Sequence, residues 1–328
     1  MKVSAIIPTY NRREYVLRAI ESVCAQTQPV DEIVVVDDGS TDGTAELIQA
    51  RYGDRVRLIR QANTGVSGAR RTAVREARNE WVAFLDSDDE WTDDRNRVLT
   101  EAASKVASDV AWIFGDVSIV QDHGDNQTIY QRFGLHLDQS PKVFEDSITV
   151  QHPFQFGLLQ GSLIRRDALV QVDAFGAGLK HSEDYLAGVQ VASRFRYAAV
   201  DAVVTILYRT SDLQGSSLDL TGRNGPDYYR ARMMAFSLLL QTGRRGPWDE
   251  FYAEAVRGLC KVYAEEGGPY LAISREQFRY GITLKSLAFE CAVLLGRPAL
   301  KVWKMCGRGF RGVRGQEVTS RHSIGVIP

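Results

Sequence analysis

Short apolar runs alternate with amphipathic stretches through the first third of the chain. These runs occupy residues 2–8, 32–36 and 81–85, and residues 55–60 (RVRLIR) alternate between polar and apolar as a further strand would. Stretches of helical pattern separate these segments. An apolar run bounded by polar residues is typical of a strand that is buried on both faces. Strands that alternate with helices favour a parallel sheet. The pattern therefore predicts an α/β fold with a Rossmann-like, mostly parallel sheet flanked by helices.

The rest of the chain has a less regular pattern. It predicts strands at 110–120, 155–164 and 197–208, and a helix at 182–195 that begins with capping residues. Beyond about residue 227 the apolar spacing is mostly helical. We therefore expect the α/β part to give way to a mostly helical C-terminal region.

An acidic cluster follows the strand predicted at 81–85: Asp86, Asp88, Asp89 and Glu90. In open α/β sheets, ligands bind beyond the carboxyl ends of the strands. Neighbouring carboxylates repel each other, and Mg²⁺ or Mn²⁺ takes one or two of them together with substrate phosphates. Asp86-Ser87-Asp88 is therefore a candidate site for a metal and a diphosphate. The alternative is that these acids only begin the next helix.

Asp38 follows the strand predicted at 32–36. A carboxylate in this place can accept the imide N–H of uracil or thymine, and it would equally suit the N1–H of guanine. The helix that follows already has Thr41 and Asp42 as capping residues. We therefore expect Asp38 to be free for a ligand.

Two helix starts carry further candidates. The segment 65–71 (GVSGARR) is a glycine-bearing turn, so Gly65, Arg70 and Arg71 are candidate phosphate contacts, with a solvated helix face as the alternative. Glu183 and Asp184 open a later helix. Near a metal-bound diphosphate, such a carboxylate can take the proton from an acceptor hydroxyl, whereas compensation of the helix dipole is the alternative.

Composition and charge bear on the class of ligand and on the cellular compartment. The 328 residues carry a net charge of −1, so the total charge gives no indication of nucleic-acid binding. The four cysteines are scattered, which favours a reducing compartment over a zinc site or a disulfide framework. The sequence shows no signal-peptide pattern at its start. We therefore expect a cytoplasmic protein.

The C-terminal segment is strongly basic. Residues 297–328 hold seven Lys or Arg residues against one acid, and they follow an apolar helix predicted at 287–295. A basic surface beside an apolar helix can rest on anionic lipid. Residues 284–328 are therefore a candidate peripheral contact with the membrane. The alternative is a core helix followed by a solvated tail.

In this order the motifs resemble those of the family 2 glycosyltransferases, which have the GT-A fold. The resemblance covers about residues 1–220, and its matching segments are PTYNR at 8–12, VVVDDGSTDGT at 34–44, NTGVSGAR at 63–70, FLDSDDEW at 84–91, GSLIRRDAL at 161–169 and SEDYLAG at 182–188. It implies a nucleotide-binding half at 1–110, an acceptor-binding half at 111–222 and a helical C-terminal region at 223–328.

The resemblance also implies roles for individual residues. The donor is a UDP-, dTDP- or GDP-linked sugar, and its nucleotide is held by Pro8, Thr9, Tyr10, Asn11, Arg12 and Asp38. Asp86 and Asp88 bind Mn²⁺ or Mg²⁺ and the diphosphate, with Asp88 as the direct metal ligand. Asp184, beside Glu183, is the base for an inverting transfer to a hydroxyl of a glycan or lipid-linked acceptor. Such enzymes build cell-surface polysaccharides and glycolipids.

Two positions depart from the family pattern. Arg71 stands where the family often has Asn, which suggests a different phosphate contact. No His follows Tyr208-Arg209, so the third metal ligand of the family is in doubt, and Ser211, Asp212 and Ser216 are weaker candidates for metal or phosphate contacts. Two other functions stay open: a sugar nucleotidyltransferase, and a non-catalytic protein of this fold that binds sugar nucleotides or glycans.

Overall fold

A computed structural model of the chain describes residues 1–122, 126–151, 155–209 and 226–241. Within these residues nine strands form one sheet. The strands are β1 (Val3–Thr9), β2 (Glu32–Asp37), β3 (Arg57–Arg60), β4 (Trp81–Phe84), β5 (Glu90–Trp91), β6 (Val110–Gln121), β7 (Lys142–Phe144), β8 (Ser162–Arg165) and β9 (Arg196–Arg209).

The same residues contain α-helices on both sides of the sheet. They are α1 (Val16–Cys24), α2 (Thr44–Tyr52), α3 (Gly65–Glu76), α4 (Arg95–Ser104), α5 (Ile129–Phe133), α6 (Ile148–Gln151), α7 (Arg166–Gln171), α8 (Glu183–Ala192) and α9 (Pro226–Gln241). A short 3-10 turn, Leu159–Gly161, precedes β8.

The first half of the sheet is parallel, in the order β3-β2-β1-β4. All seven residues of β1 are buried, as expected for a central strand covered on both faces. Successive residues therefore face opposite layers: Ile6 packs with α3, α7 and α8, whereas Ile7 packs with α1, α2 and α4. This arrangement confirms the predicted Rossmann-like architecture. It also brings the carboxyl ends of β1, β2 and β4 to one edge.

The second half of the sheet is mixed, in the order β4-β8-β6-β9-β5, with β7 also paired to β9. β8 is antiparallel to both neighbours, and β6 and β9 are parallel to each other. The strand predicted at 155–164 is wrong over its first part, where the 3-10 turn lies instead. At Gly161 a Cβ atom would lie 2.7 Å from Val117 Cγ2, so the backbone turns tightly against β6.

Several predicted segments fall outside the described residues. These are the loop after Arg209 with Ser211, Asp212 and Ser216, the helix at 287–295 and the basic tail at 297–328. In the part of the chain that the structure describes, no helix is long and apolar enough to cross a membrane.

Candidate active site

The loops after β1 and β2 are joined by Asn11. Its backbone N–H donates to Ser40 Oγ at 2.9 Å, and its Oδ1 accepts from the Thr41 N–H at 2.9 Å. Asn11 has a φ of 50°, a left-handed conformation that Asn tolerates better than most residues. Tyr10, beside it, is 47% exposed. The predicted nucleotide-binding segment is thus a tied pair of loops with an exposed aromatic ring at its tip.

Asp38 lies at the end of β2, where the prediction put it, but it is not free of structural partners. Its Oδ1 accepts from Gln61 Nε2 at 2.7 Å and from the Thr64 N–H at 3.0 Å, and its Oδ2 accepts from the Gly65 N–H at 2.8 Å. Asp38 therefore caps α3. No local pattern predicts this role, because the donors lie more than 20 residues downstream. Oδ2 takes a single donor here, so it keeps capacity for a second one.

Asp86, directly beyond Leu85 and β4, is held through both carboxylate oxygens. Arg70 Nη2 lies 2.6 Å from Oδ1, and Gln160 Nε2 donates to Oδ2 at 2.6 Å. Gln160 comes from the 3-10 turn before β8, and its role was not predicted. Burial alone would raise the pKa of Asp86, but Arg70 and Gln160 together lower it below its usual value. Asp86 is thus fixed in place and ionised.

Arg70 joins the end of β4 to the start of α8. Its side chain is 4% exposed and forms ion pairs with both Asp86 and Glu183. Burial raises the pKa of Glu183 to about 7, against the lowering effect of Arg70. In this structure Arg70 bridges two carboxylates, and the phosphate contact predicted for it stays a prediction.

Arg71, the next residue, faces away from this bridge. Its Nη2 donates to both carboxylate oxygens of Asp173, at 2.7 and 2.9 Å, on the protein surface. The structure thus gives no support to a phosphate contact for Arg71. The two arginines were equivalent in sequence, and the helical rotation between them separates a buried side chain from an exposed one.

Asp88 differs from Asp86 in having no side-chain hydrogen bond within the described residues. Arg12 Nε lies 3.9 Å from its Oδ2, and Arg18 Nη2 donates to its backbone carbonyl at 2.7 Å. Burial raises the pKa of Asp88, and the charge of Asp86 adds to that effect. Asp88 is therefore the less occupied of the two carboxylates in the Asp86-Ser87-Asp88 motif.

The next acid, Asp89, has a structural role that was not predicted. It is fully buried and its Oδ1 accepts from the Tyr208 N–H at 3.0 Å and from Arg209 Nη1 at 3.2 Å. The guanidinium carbon of Arg18 lies 4.1 Å from the centre of the Tyr208 ring. Asp89 therefore binds the segment 86–90 to the end of β9.

Asp184 lies in the first turn of α8, next to Glu183. Its Oδ2 accepts from Gln155 Nε2 at 2.9 Å, and its Oδ1 accepts from the Tyr185 N–H at 2.7 Å. The Arg70 bridge therefore places this predicted base on the element that is linked to Asp86. No group of three His, Cys, Asp or Glu side chains that could hold a metal ion occurs among the residues described.

Comparison with known proteins identifies the family. Residues 4–171 match the family described as Glycosyl transferase family 2. The chain belongs to this family. An uncharacterized glycosyltransferase of Nostoc is 38% identical over 52% of this chain and 53% of its own length. The succinoglycan biosynthesis protein ExoO of Rhizobium meliloti is 34% identical over 56% of this chain and 53% of its own.

A shorter match links this family 2 chain to a putative teichuronic acid biosynthesis glycosyltransferase, TuaG of Bacillus subtilis. The two are 41% identical over 28% of this chain and 38% of TuaG. The chain thus spans about half the length, or less, of these curated relatives. The crystal structure of S. aureus TarS 1-349 in complex with UDP-GlcNAc has a TM-score of 0.64 at 18% identity, over 95% of this chain and 92% of that chain. This likeness shows the GT-A fold.

Proposed function

We propose that the chain is an inverting glycosyltransferase that moves a sugar from a nucleoside-diphosphate sugar to the hydroxyl of a glycan or lipid-linked acceptor. The observation that carries this proposal is the Arg70 bridge between Asp86 and Glu183. It joins the acidic strand end, suited to the donor diphosphate, with the helix that carries Asp184. A donor site and a base joined in this way are what a transfer between two bound substrates needs.

A uridine donor is the form that we favour. The TarS structure that this chain resembles holds UDP-GlcNAc. The remaining acceptor capacity of Asp38 Oδ2 suits the imide N–H of uracil. Tyr10, exposed at the neighbouring strand end, would cover the base.

The described residues fit a divalent metal only together with the donor. Within the described residues the Asp88 carboxylate has only a 3.9 Å ion pair with Arg12, whereas both oxygens of Asp86 already accept hydrogen bonds. One carboxylate combined with substrate phosphates is a usual Mg²⁺ environment. Asp88 would therefore hold Mn²⁺ or Mg²⁺. The ion would supply charge neutralisation of the departing diphosphate.

In the proposed mechanism Asp184 is the general base. Gln155 and the Tyr185 N–H hold its carboxylate by one oxygen each, which orients it without using all of its acceptor capacity. Asp184 takes the proton of the acceptor hydroxyl as that oxygen attacks the anomeric carbon from the face opposite the diphosphate. The configuration at that carbon is therefore inverted.

The names of two relatives suggest a pathway class. Succinoglycan and teichuronic acid are named in two of the proteins that this chain resembles. We therefore propose a role in cell-surface polysaccharide synthesis. The reaction would take place on the cytoplasmic side, where the basic segment 297–328 could meet anionic lipid.

The first test is thermal denaturation with Mn²⁺ and a panel of nucleoside diphosphates and their sugars. A ligand at a hundred times its dissociation constant stabilises the protein by about 2.7 kcal/mol, so binding is readily seen. We expect a metal-dependent rise in melting temperature with a uridine diphosphate. The stabilising donor is then incubated with an acceptor. The NMR spectrum of the glycoside formed shows whether the anomeric configuration is inverted relative to the donor. No stabilisation by any nucleotide would contradict the proposal.

A further inference from the structure

Arg95, at the start of α4, is a buried cation below the turn that carries Gln160. It is fully buried, and its Nη2 donates to the carbonyls of Gln160 at 3.3 Å and Ser162 at 2.7 Å. Its guanidinium carbon lies 3.9 Å from the centre of the Trp91 ring. Within the described residues its Nε and Nη1 have no hydrogen-bond partner, and no carboxylate pairs with it. Burial lowers the pKa of Arg95 to about 9.

The buried Arg95 charge is not expected to stabilise the fold. A buried charge without a counter-charge is costly, and an apolar side chain of similar length would fill the same space without that cost. The two carbonyls that Arg95 holds belong to the turn that carries Gln160, so Arg95 can instead serve to position that turn.

The two carbonyls flank Gly161, in the turn just before β8. Thr205 Oγ1 donates to the Gln160 carbonyl at 2.9 Å, and Trp112 Nε1 donates to Ser162 Oγ at 2.6 Å. Arg95 and Thr205 therefore hold the backbone of the turn, and Trp112 holds the side chain of Ser162. The Gln160 side chain itself donates to Asp86 Oδ2 at 2.6 Å.

We propose that Arg95 is a positioning residue of the donor site, which fixes the Gln160 amide against Asp86 by holding the carbonyls on either side of Gly161. The geometric part of this inference stands alone, and only its effect on donor binding rests on the proposed function. Without Arg95 the turn relaxes and Gln160 no longer holds Asp86. Asp86 Oδ2 then loses its donor, and its carboxylate is no longer held in one position. The uncompensated carboxylate repels the donor diphosphate, which weakens diphosphate binding.

The chain offers a matched control in Arg166. Its Nε and Nη2 donate to the carbonyls of Val74 and Arg75 at 2.7 and 2.8 Å, so it too holds backbone carbonyls, but between α3 and α7. Arg95→Met and Arg166→Met remove the same kind of contact, and only the first is beneath Gln160. Arg95→Lys, which keeps the charge and one donor, serves as a second variant.

The first measurement is the NMR signal of the Gln160 side-chain amide in protein with ¹⁵N-labelled glutamine, assigned by its loss in Gln160→Ala. In the wild type we expect a signal displaced from that of free glutamine and slow exchange with solvent, because the amide donates to a carboxylate. Arg95→Met should move the signal to the free position, and Arg166→Met should leave it unchanged. An unchanged signal in folded Arg95→Met would overturn the proposal. Arg95→Lys, which keeps a charged donor nitrogen, should retain most of the displacement of the signal. If Arg95→Met does not fold, Arg95→Leu takes its place, and an unchanged signal in that variant would overturn the proposal equally.

The second measurement is the affinity for UDP with Mn²⁺, by calorimetry. We expect Arg95→Met and Gln160→Ala each to weaken binding about tenfold, and the double variant to lose no more than either single variant. Losses that multiply in the double variant would contradict a shared route through Gln160. If the wild type binds no nucleoside diphosphate, the proposed function fails, and the amide signal alone then decides the role of Arg95.

Discussion

Arg70→Met removes the cation that Asp86 and Glu183 share, and it leaves two carboxylates facing each other in a closed environment. The side chains of Arg70 and Glu183 are 4% and 8% exposed, and that of Asp86 is 23% exposed, so water can replace the lost charge only in part, at Asp86. Loss of one partner from a buried ion pair costs about 3–5 kcal/mol. We expect Arg70→Met to reduce the free energy of unfolding by up to that amount in urea denaturation without ligand at a pH above 7, where Glu183 is ionised.

The neighbouring arginine provides the control. Arg71 pairs with Asp173 at the surface, where the two side chains are 36% and 62% exposed. Exposed ion pairs contribute about 0–1 kcal/mol, so Arg71→Met should leave the unfolding free energy nearly unchanged. Equal effects of the two substitutions would refute the reasoning, since it depends on the difference in burial.

A second substitution checks the cause of the loss. If Arg70→Met is harmful because it strands buried charge, then Glu183→Gln in the same chain should restore part of the stability. In the wild type, Glu183→Gln alone should instead weaken the contact to Arg70. A double variant that is less stable than Arg70→Met would show that lost packing, not unpaired charge, explains the effect.

Three further predictions concern single side chains. Asp88→Asn should abolish the Mn²⁺-dependent stabilisation by UDP and leave the melting temperature without ligand within a few degrees of the wild type. Asp38→Ala should cost about 1–2 kcal/mol in urea denaturation, because the Thr64 and Gly65 N–H groups lose their acceptor, and it should also weaken UDP binding in calorimetry. Since burial raises the pKa of Glu183 from 4.5 to about 7, the folded chain keeps a proton that the unfolded chain has released. The unfolding free energy should therefore fall as pH rises through this window, by at most about 1.4 kcal/mol per pH unit, and Glu183→Gln should flatten that slope.

Local patterns predicted the elements around the site well. The strands predicted at 32–36 and 81–85 match β2 and β4 within a residue. Each combines continuous apolar spacing with polar ends, so the local signal and the buried environment agree. The strand predicted at 155–164 failed because apolar residues are also buried in a tight turn when the backbone packs against β6.

The candidate site was only partly predictable, because its contacts join distant parts of the chain. The sequence showed that Asp86 ends a strand, but not that Gln160 and Arg70 would hold its two oxygens. It placed Arg70 and Arg71 in one helix without distinguishing the buried one from the exposed one. Gln160 and Arg95 belong to no motif of their own, and only the folded chain brings them together.

The central claim is that Asp184 deprotonates the acceptor, and the most direct test separates transfer from binding. Two quantities are measured on the same preparation of Asp184→Asn: the affinity for UDP, and the rate of sugar transfer. The donor is the one that the nucleotide panel identifies. General base catalysis contributes about 10²- to 10⁴-fold, so we predict a loss of transfer on that scale with UDP affinity unchanged. Transfer at the wild-type rate, or a parallel loss of UDP binding, would contradict the account.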